Sequence, residues 1–322
     1  MEREQMALYL TAYGNAEQKD KGIVRLVFNR VNGSIRKEST YPLNGKANMV
    51  IDLPDQLIVS VKGPEKTTLD FYGKNGIKMR EVATDLFYSF ASPAEGGFLL
   101  ASYESGADSF YDLTADQIRK TVVHKREGYE KAGKSHFIHH MEDGRCISVE
   151  NSLQQIYVYK DEGLEIEDVI NFPQYAEKNI RLLAFSQHHQ KAYLNTELTN
   201  EIIVLDTKEF AIIKEIKMTD EKEVFSGGHA IREDEKLLCT ALRGKNVIVV
   251  SEICDDGIPD IKYEFSCGKT PRDLKFIGDY LLVSCTDSNC VEVYQVTGEK
   301  AYKIDEAEVF QPITFAIDGE RK

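Results

Sequence analysis

This sequence of 322 residues has no tryptophan, no C-x-x-C cysteine pair, no apolar run of membrane-spanning length and no excess of basic residues. Each absence excludes something. Without tryptophan the chain cannot carry the Trp-Asp signature of the commonest propeller repeats. The six cysteines are Cys146, Cys239, Cys254, Cys267, Cys285 and Cys290. Most lie in or beside apolar strand patterns, as small buried thiols do, and they are expected to be reduced core residues. Forty Lys and Arg face 53 Asp and Glu, a net charge of −13. Such a surface repels phosphate backbones and anionic lipid, so neither a nucleic acid nor a membrane is expected as a partner. The opening Met1-Glu2-Arg3-Glu4-Gln5 has acids where a secretory leader needs bases, and the apolar run after it is short. A cytoplasmic chain is the expectation.

What is present is enough apolar content for a core, 42% of residues, and an internal repeat. Short β-branched and aromatic runs end at residues 28, 72, 111, 159, 205, 250 and 294, giving steps of 44, 39, 48, 46, 45 and 44. A period near 45 suits a propeller blade of four strands, here named A to D. Blade five shows the unit, with A at 182–185, a polar turn, B at 191–195, C at 201–205 and D at 211–216. Blade four has A at 137–140, an Asp143-Gly144 hairpin turn, B at 145–149, C at 156–159 and D at 164–169. Blade seven has A at 274–276, B at 280–284, C at 291–294 and D at 302–304.

The first copy has B at 7–12, C at 22–28 and D at 35–40, but no strand A before them. An orphan strand at 313–317 lies at the other end of the chain. Pairing it with the N-terminal strands completes blade one and removes two exposed sheet edges. The expected fold is therefore all-β: one domain over 1–322, a seven-bladed β-propeller of four-stranded antiparallel blades, its ring closed by strand 313–317. The longest charged run, residues 124–134, is expected to be a solvated loop between blades three and four.

In an antiparallel A–B hairpin, the start of A and the end of B lie at one end. Around a propeller that end forms the mouth of the central funnel. Blade four places His136 and Glu150/Asn151 there, blade five Arg181 and Glu197, blade six His229 and Arg243, and blade seven Arg272 and Asp287. Blade three offers Tyr88 and Tyr103, and blade two Asn48 and Lys62. Arginine forks on adjacent blades of an acidic protein point to an anion-binding pocket. The pairs His139-His140 and His188-His189 fall in or beside A–B turns, away from the mouth, so no metal site is expected.

The segment Arg181-Leu-Leu-Ala-Phe, with Tyr-Leu-Asn-Thr-Glu197-Leu198 following, resembles the Pro-Arg-His-x-Ala-Phe … Tyr-Val-x-Asn-Glu-Leu segment of the 6-phosphogluconolactonase-like propellers. That lactonase family also includes carboxymuconate cyclases. Thr-Pro-Arg272-Asp273 with Leu-Leu-Val-Ser and Asp287-Ser is similar to the family's Thr-Pro-Arg-Asp-Phe … Leu-Leu-Val-Ala-Asn-Gln-Asp-Ser. Leu242-Arg243-Gly244 falls on Ser-Asn-Arg-Gly, and His136 with Gly144 on Pro-His-Ser … Asp-x-x-Gly. The sequence departs from the pattern at Lys134-Ser135, Leu182, Tyr88 and Gly228, the last standing where an acid often occurs. The resemblance implies a lactonase acting on an anionic sugar lactone, 6-phosphogluconolactone foremost, without a cofactor. It makes His136, Glu197, Arg181 and Arg243 the catalytic candidates and Arg272, Asn151, Tyr103 and Asp287 the substrate-binding ones. Muconate cycloisomerisation and protein binding by a non-catalytic propeller are the alternatives.

Overall fold

A computed structural model describes residues 4–130, 132–172 and 178–319. Residues 1–3, part of the leader argument, and Lys131, inside the charged run, lie outside them. Six four-stranded antiparallel sheets and one five-stranded sheet carry nearly all the regular structure, and the fold is a seven-bladed β-propeller. The described strands group into two compact units. One holds blades five, six, seven and one; the other holds blades two, three and four. No helix among the described residues is long and apolar enough to cross a membrane.

The sequence pattern explains the burial of each strand. B and C strands such as Lys191–Thr196 and Glu201–Asp206 are almost wholly buried, because sheets pack on both of their faces. They read as unbroken apolar runs, and those runs set the repeat. D strands such as Ile212–Lys217 are mostly exposed and rich in Lys and Glu, residues that discourage edge-to-edge pairing. Most of the hydrophobic clusters among the described residues lie between two neighbouring sheets. Leu8, Leu26 and Phe28 of blade one, for example, pack with Leu282, Val291 and Val293 of blade seven.

The orphan strand behaves as expected. Pro312–Phe315 pairs antiparallel with Gln5–Ala12, joining Phe315 to Leu10 and Pro312 to Ala12. The chain then does something the sequence did not suggest. Ile317–Asp318 adds in parallel to Val50–Asp52, pairing with Ile51 and Asp52, as a fifth strand of blade two.

Two irregularities recur. The C–D pairing shifts register once in each of blades two to seven. The A–B pairing shifts at the start of strand A in blades four, six and seven. There the ladder skips His136, then Gly227 and Gly228, then Arg272. A bulged residue leaves the pleat, so its side chain is re-aimed. The B–C turns of blades four to seven also share a left-handed residue: Gln154, Asn200, Asn246 or Asn289, with φ of 55°, 58°, 57° and 55°. Its carbonyl accepts the N–H just beyond the D strand, from Phe172, Met218, Cys267 and Val309 in turn.

The charged run is not simply a solvated loop. His124, its first residue, is 2% exposed. Its Nε2 lies 2.9 Å from Asp108 Oδ2 and 3.0 Å from the Tyr159 hydroxyl, and its Nδ1 lies 3.2 Å from Glu150 Oε2. The ring stacks on Tyr157 at 3.9 Å. Farther along, the Lys134 N–H donates to both oxygens of Glu150. Partners from three other strands draw the ends of the run inward, and local charge density does not reveal them.

Candidate functional site

The candidates form two groups, one in each unit. In the first, Glu197 follows strand B of blade five (Lys191–Thr196), and Arg243 follows strand B of blade six (Leu237–Leu242). Arg243 Nη2 donates to Glu197 Oε1, and each side chain is 19% exposed. Two backbone carbonyls hold the same guanidinium: Phe225 O at 3.1 Å from Nε and Ser226 O at 3.2 Å from Nη2. Among the described residues no acceptor meets Nη1. The arginine is therefore fixed in direction while keeping donors for a ligand, the arrangement that stabilises developing negative charge with little reorganisation.

Asn195 builds the support beneath this pair. Its Nδ2 donates to Ser226 Oγ and to the Gly227 carbonyl, both at 3.1 Å, and its Oδ1 accepts the Leu182 N–H at 2.9 Å. Ser226 Oγ in turn donates to the Thr196 carbonyl at 2.7 Å. The bulge at Gly227-Gly228 allows close passage. A Cβ on Gly227 would lie 2.8 Å from the Pro271 carbonyl and 3.1 Å from Arg243 Cγ. On Gly228 it would lie 2.8 Å from the Leu274 backbone nitrogen. This explains the departure from the family pattern at 228, since blade seven's main chain leaves no room for an acid.

Gly227 thus touches both the Arg243 stem and Pro271, the residue before Arg272. Arg272, released from the ladder by the bulge, is half-buried and has no hydrogen-bond or ion-pair partner among the described residues. Asp287 is exposed and accepts the Thr270 hydroxyl. His229 is a strut, not an open functional group. Its Nδ1 lies 2.8 Å from Thr240 Oγ1 and its Nε2 3.1 Å from the Tyr193 carbonyl.

In the other unit, Arg181 Nε donates to His136 Nε2 at 3.1 Å. With Nε2 accepting, Nδ1 carries the proton of the neutral ring. Tyr103 meets the His136 ring edge-on at 5.3 Å, and Lys134 Nζ lies 5.2 Å over the Tyr103 ring. Arg181 is 6% exposed, so its charge lies mostly out of solvent. Asn151 is fully buried; its Nδ2 donates to the Ile180 carbonyl at 2.9 Å, a contact that steadies the residue before Arg181.

Several mouth positions read from the sequence are not open groups. Tyr88 is 1% exposed with its hydroxyl on Ser109, and burial pushes its pKa up to about 12. Glu150 is enclosed by His124, Lys134 and Ser152. Lys62 pairs with Glu104. His188 and His189 line a groove with Glu233, Glu235, Glu252 and Asp255, and none of the residues of the arginine pairs lines it. The group of metal-type ligands that does converge among the described residues is Cys285, Cys290 and Glu292, which the spacing of the cysteines gave no reason to expect.

A protein-family model described as "Lactonase, 7-bladed beta-propeller" matches residues 58–309. No curated protein sequence matches the chain. Among solved structures, a protein from Lactobacillus plantarum superposes with a TM-score of 0.85 at 18% identity, covering 97% of this chain and 98% of its own. A Bacteroides uniformis structure, provisionally named a 6-phosphogluconolactonase, has a TM-score of 0.83 at 18% identity, with 97% and 99% covered. The periplasmic gluconolactonase of Pseudomonas aeruginosa has a TM-score of 0.81 at 17% identity, with 96% and 98% covered.

Proposed function

Because this chain belongs to the lactonase family of seven-bladed β-propellers, we propose that it hydrolyses a sugar lactone carrying an anionic group, with 6-phosphogluconolactone as substrate and 6-phosphogluconate as product. The observation that carries this reading is the Glu197–Arg243 pair: a carboxylate beside a guanidinium clamped by two carbonyls, with Arg272 close in the same unit and without an acceptor among the described residues.

Hydrolysis requires water to attack the lactone carbonyl, the carbonyl oxygen to take up negative charge, and the ring C–O bond to break with a proton delivered to the leaving oxygen. Glu197 is assigned the proton from the attacking water. Arg243 Nη1 is assigned the oxyanion. Arg272 is assigned the phosphate, which a free guanidinium fork suits. His136 is the other proton-transfer candidate, and Arg181 holds its ring by the Nε2 contact.

The test is acid release from freshly made lactone, corrected for spontaneous ring opening. Acceleration at micromolar protein is expected, and its absence overturns the reading. Glu197→Gln should lower turnover by about 10²-fold or more while circular dichroism stays native. Wild-type turnover in that variant removes Glu197 as the base. Arg272→Gln should raise KM for the phosphorylated lactone and leave glucono-δ-lactone unaffected; equal effects on both would remove Arg272 from a phosphate role.

A further inference from the structure

We propose that Cys285, Cys290 and Glu292 form a binding site for a thiophilic divalent cation, zinc(II) by its donor set, on blade seven. Strand B of this blade (Tyr280–Cys285) ends at Cys285 and strand C (Cys290–Val296) begins at Cys290, and the two are direct cross-strand partners. Alternation along strand C puts Glu292 on the same face as Cys290. One ligand atom from each of the three lies within 4.8 Å of the others, and all three residues are buried. Cys285 Sγ donates to Glu292 Oε2 at 3.3 Å. Sulfur and oxygen ligands of a tetrahedral zinc stand about 3.6 Å apart, so a few tenths of an ångström would admit the ion.

The surroundings resemble the outer partners of a metal site. Glu292 Oε2 also receives the Gly268 N–H at 2.8 Å and the Tyr294 hydroxyl at 2.9 Å, while Lys303 Nζ reaches Oε1 at 2.6 Å. Such bonds fix a carboxylate ligand's direction. Gly268 presses against the thiol: a Cβ there would lie 3.0 Å from Cys285 Sγ. Two thiols and a carboxylate converge where an ordinary core would place apolar groups. The mixed sulfur and oxygen donors favour zinc over copper(I), which prefers sulfur alone. On binding, the cation replaces the thiol protons of Cys285 and Cys290, which leave to solvent as the metal–sulfur bonds form.

The experiment is a titration of the full chain, reduced and freed of metal by a chelator, with cobalt(II) and then zinc(II). One equivalent of cobalt should give a thiolate-to-cobalt charge-transfer band, and zinc should abolish it. The band should be lost in Cys285→Ser and in Cys290→Ser and kept in Cys254→Ser, whose cysteine is exposed. If either serine variant fails to fold, Tyr294→Phe should still fold and bind about tenfold more weakly. No band from a natively folded, reduced protein overturns the proposal. So does a Cys285–Cys290 disulfide whose reduction yields no cobalt binding.

Discussion

His124 offers the most quantitative check on this structure. Replacing it with glutamine removes an imidazole that lies between Asp108 and Glu150, under Tyr157 and against the Tyr159 hydroxyl. Burial opposes the charged ring, but the two carboxylates outweigh it and raise its pKa from 6.5 to about 9. A group whose folded pKa is raised contributes stability that is complete below the unfolded value and is lost through the folded one. The window is therefore pH 6.5 to about 9, with stability falling as pH rises. At about 1.36 kcal/mol for each pH unit, the protonated ring contributes about 3 kcal/mol at its maximum. Denaturant unfolding of the wild type across that window should show the decline. His124→Gln should be less stable by about 3–5 kcal/mol at pH 6.5, because two carboxylates stay buried without their cation, and its stability should be flat with pH over the same range. Histidine NMR supplies the direct reading, one imidazole titrating near pH 9. An imidazole that titrates at or below 6.5, or the same pH slope in the variant, would refute the reasoning.

Two further predictions concern packing. Truncation after Glu308 removes the buried Val309, Ile313 and Phe315 and leaves Gln5–Ala12 as a bare edge. The loss should exceed about 5 kcal/mol and appear as insolubility or a thermal midpoint lower by about 10 °C or more; a soluble truncation with an unchanged midpoint would sink the closure. Gly228→Ala drives a Cβ to 2.8 Å from blade seven's main chain and should cost about 1–3 kcal/mol, whereas Gly298→Ala, with nothing within 4 Å, should be neutral in the same thermal assay.

The blades were legible because their B and C strands are buried on both faces, and continuous runs such as residues 202–205 survive without alignment. The closing strand was legible because blade one lacked a strand A. Its two-residue continuation, Ile317–Asp318, was not, since so short a pairing has no periodicity of its own. Arg243 with Glu197 and Arg181 with His136 were found as neighbouring positions, but the bulges that turn His136 and Arg272 out of their ladders leave no local mark. A signal was overlooked in the asparagines: Asn200, Asn246 and Asn289 recur at nearly the blade period, because each turn needs a residue that tolerates the left-handed region. The enclosure of His124 and the convergence of Cys285, Cys290 and Glu292 went unseen for one shared reason. Their partners arrive from other strands, and spacing along the chain does not record them.

The pairing of Leu10 with Phe315 also sets a timetable. During synthesis the N-terminal strands emerge with one side unsatisfied and wait for a partner 305 positions later (315 − 10). At about 5–20 residues per second that wait lasts roughly 15–60 s. Blades that need only their own consecutive strands can assemble meanwhile, so blade one, first to leave the ribosome, is among the last to be finished. Until then its exposed edge is where a chaperone, or a second nascent copy, has the opportunity to bind.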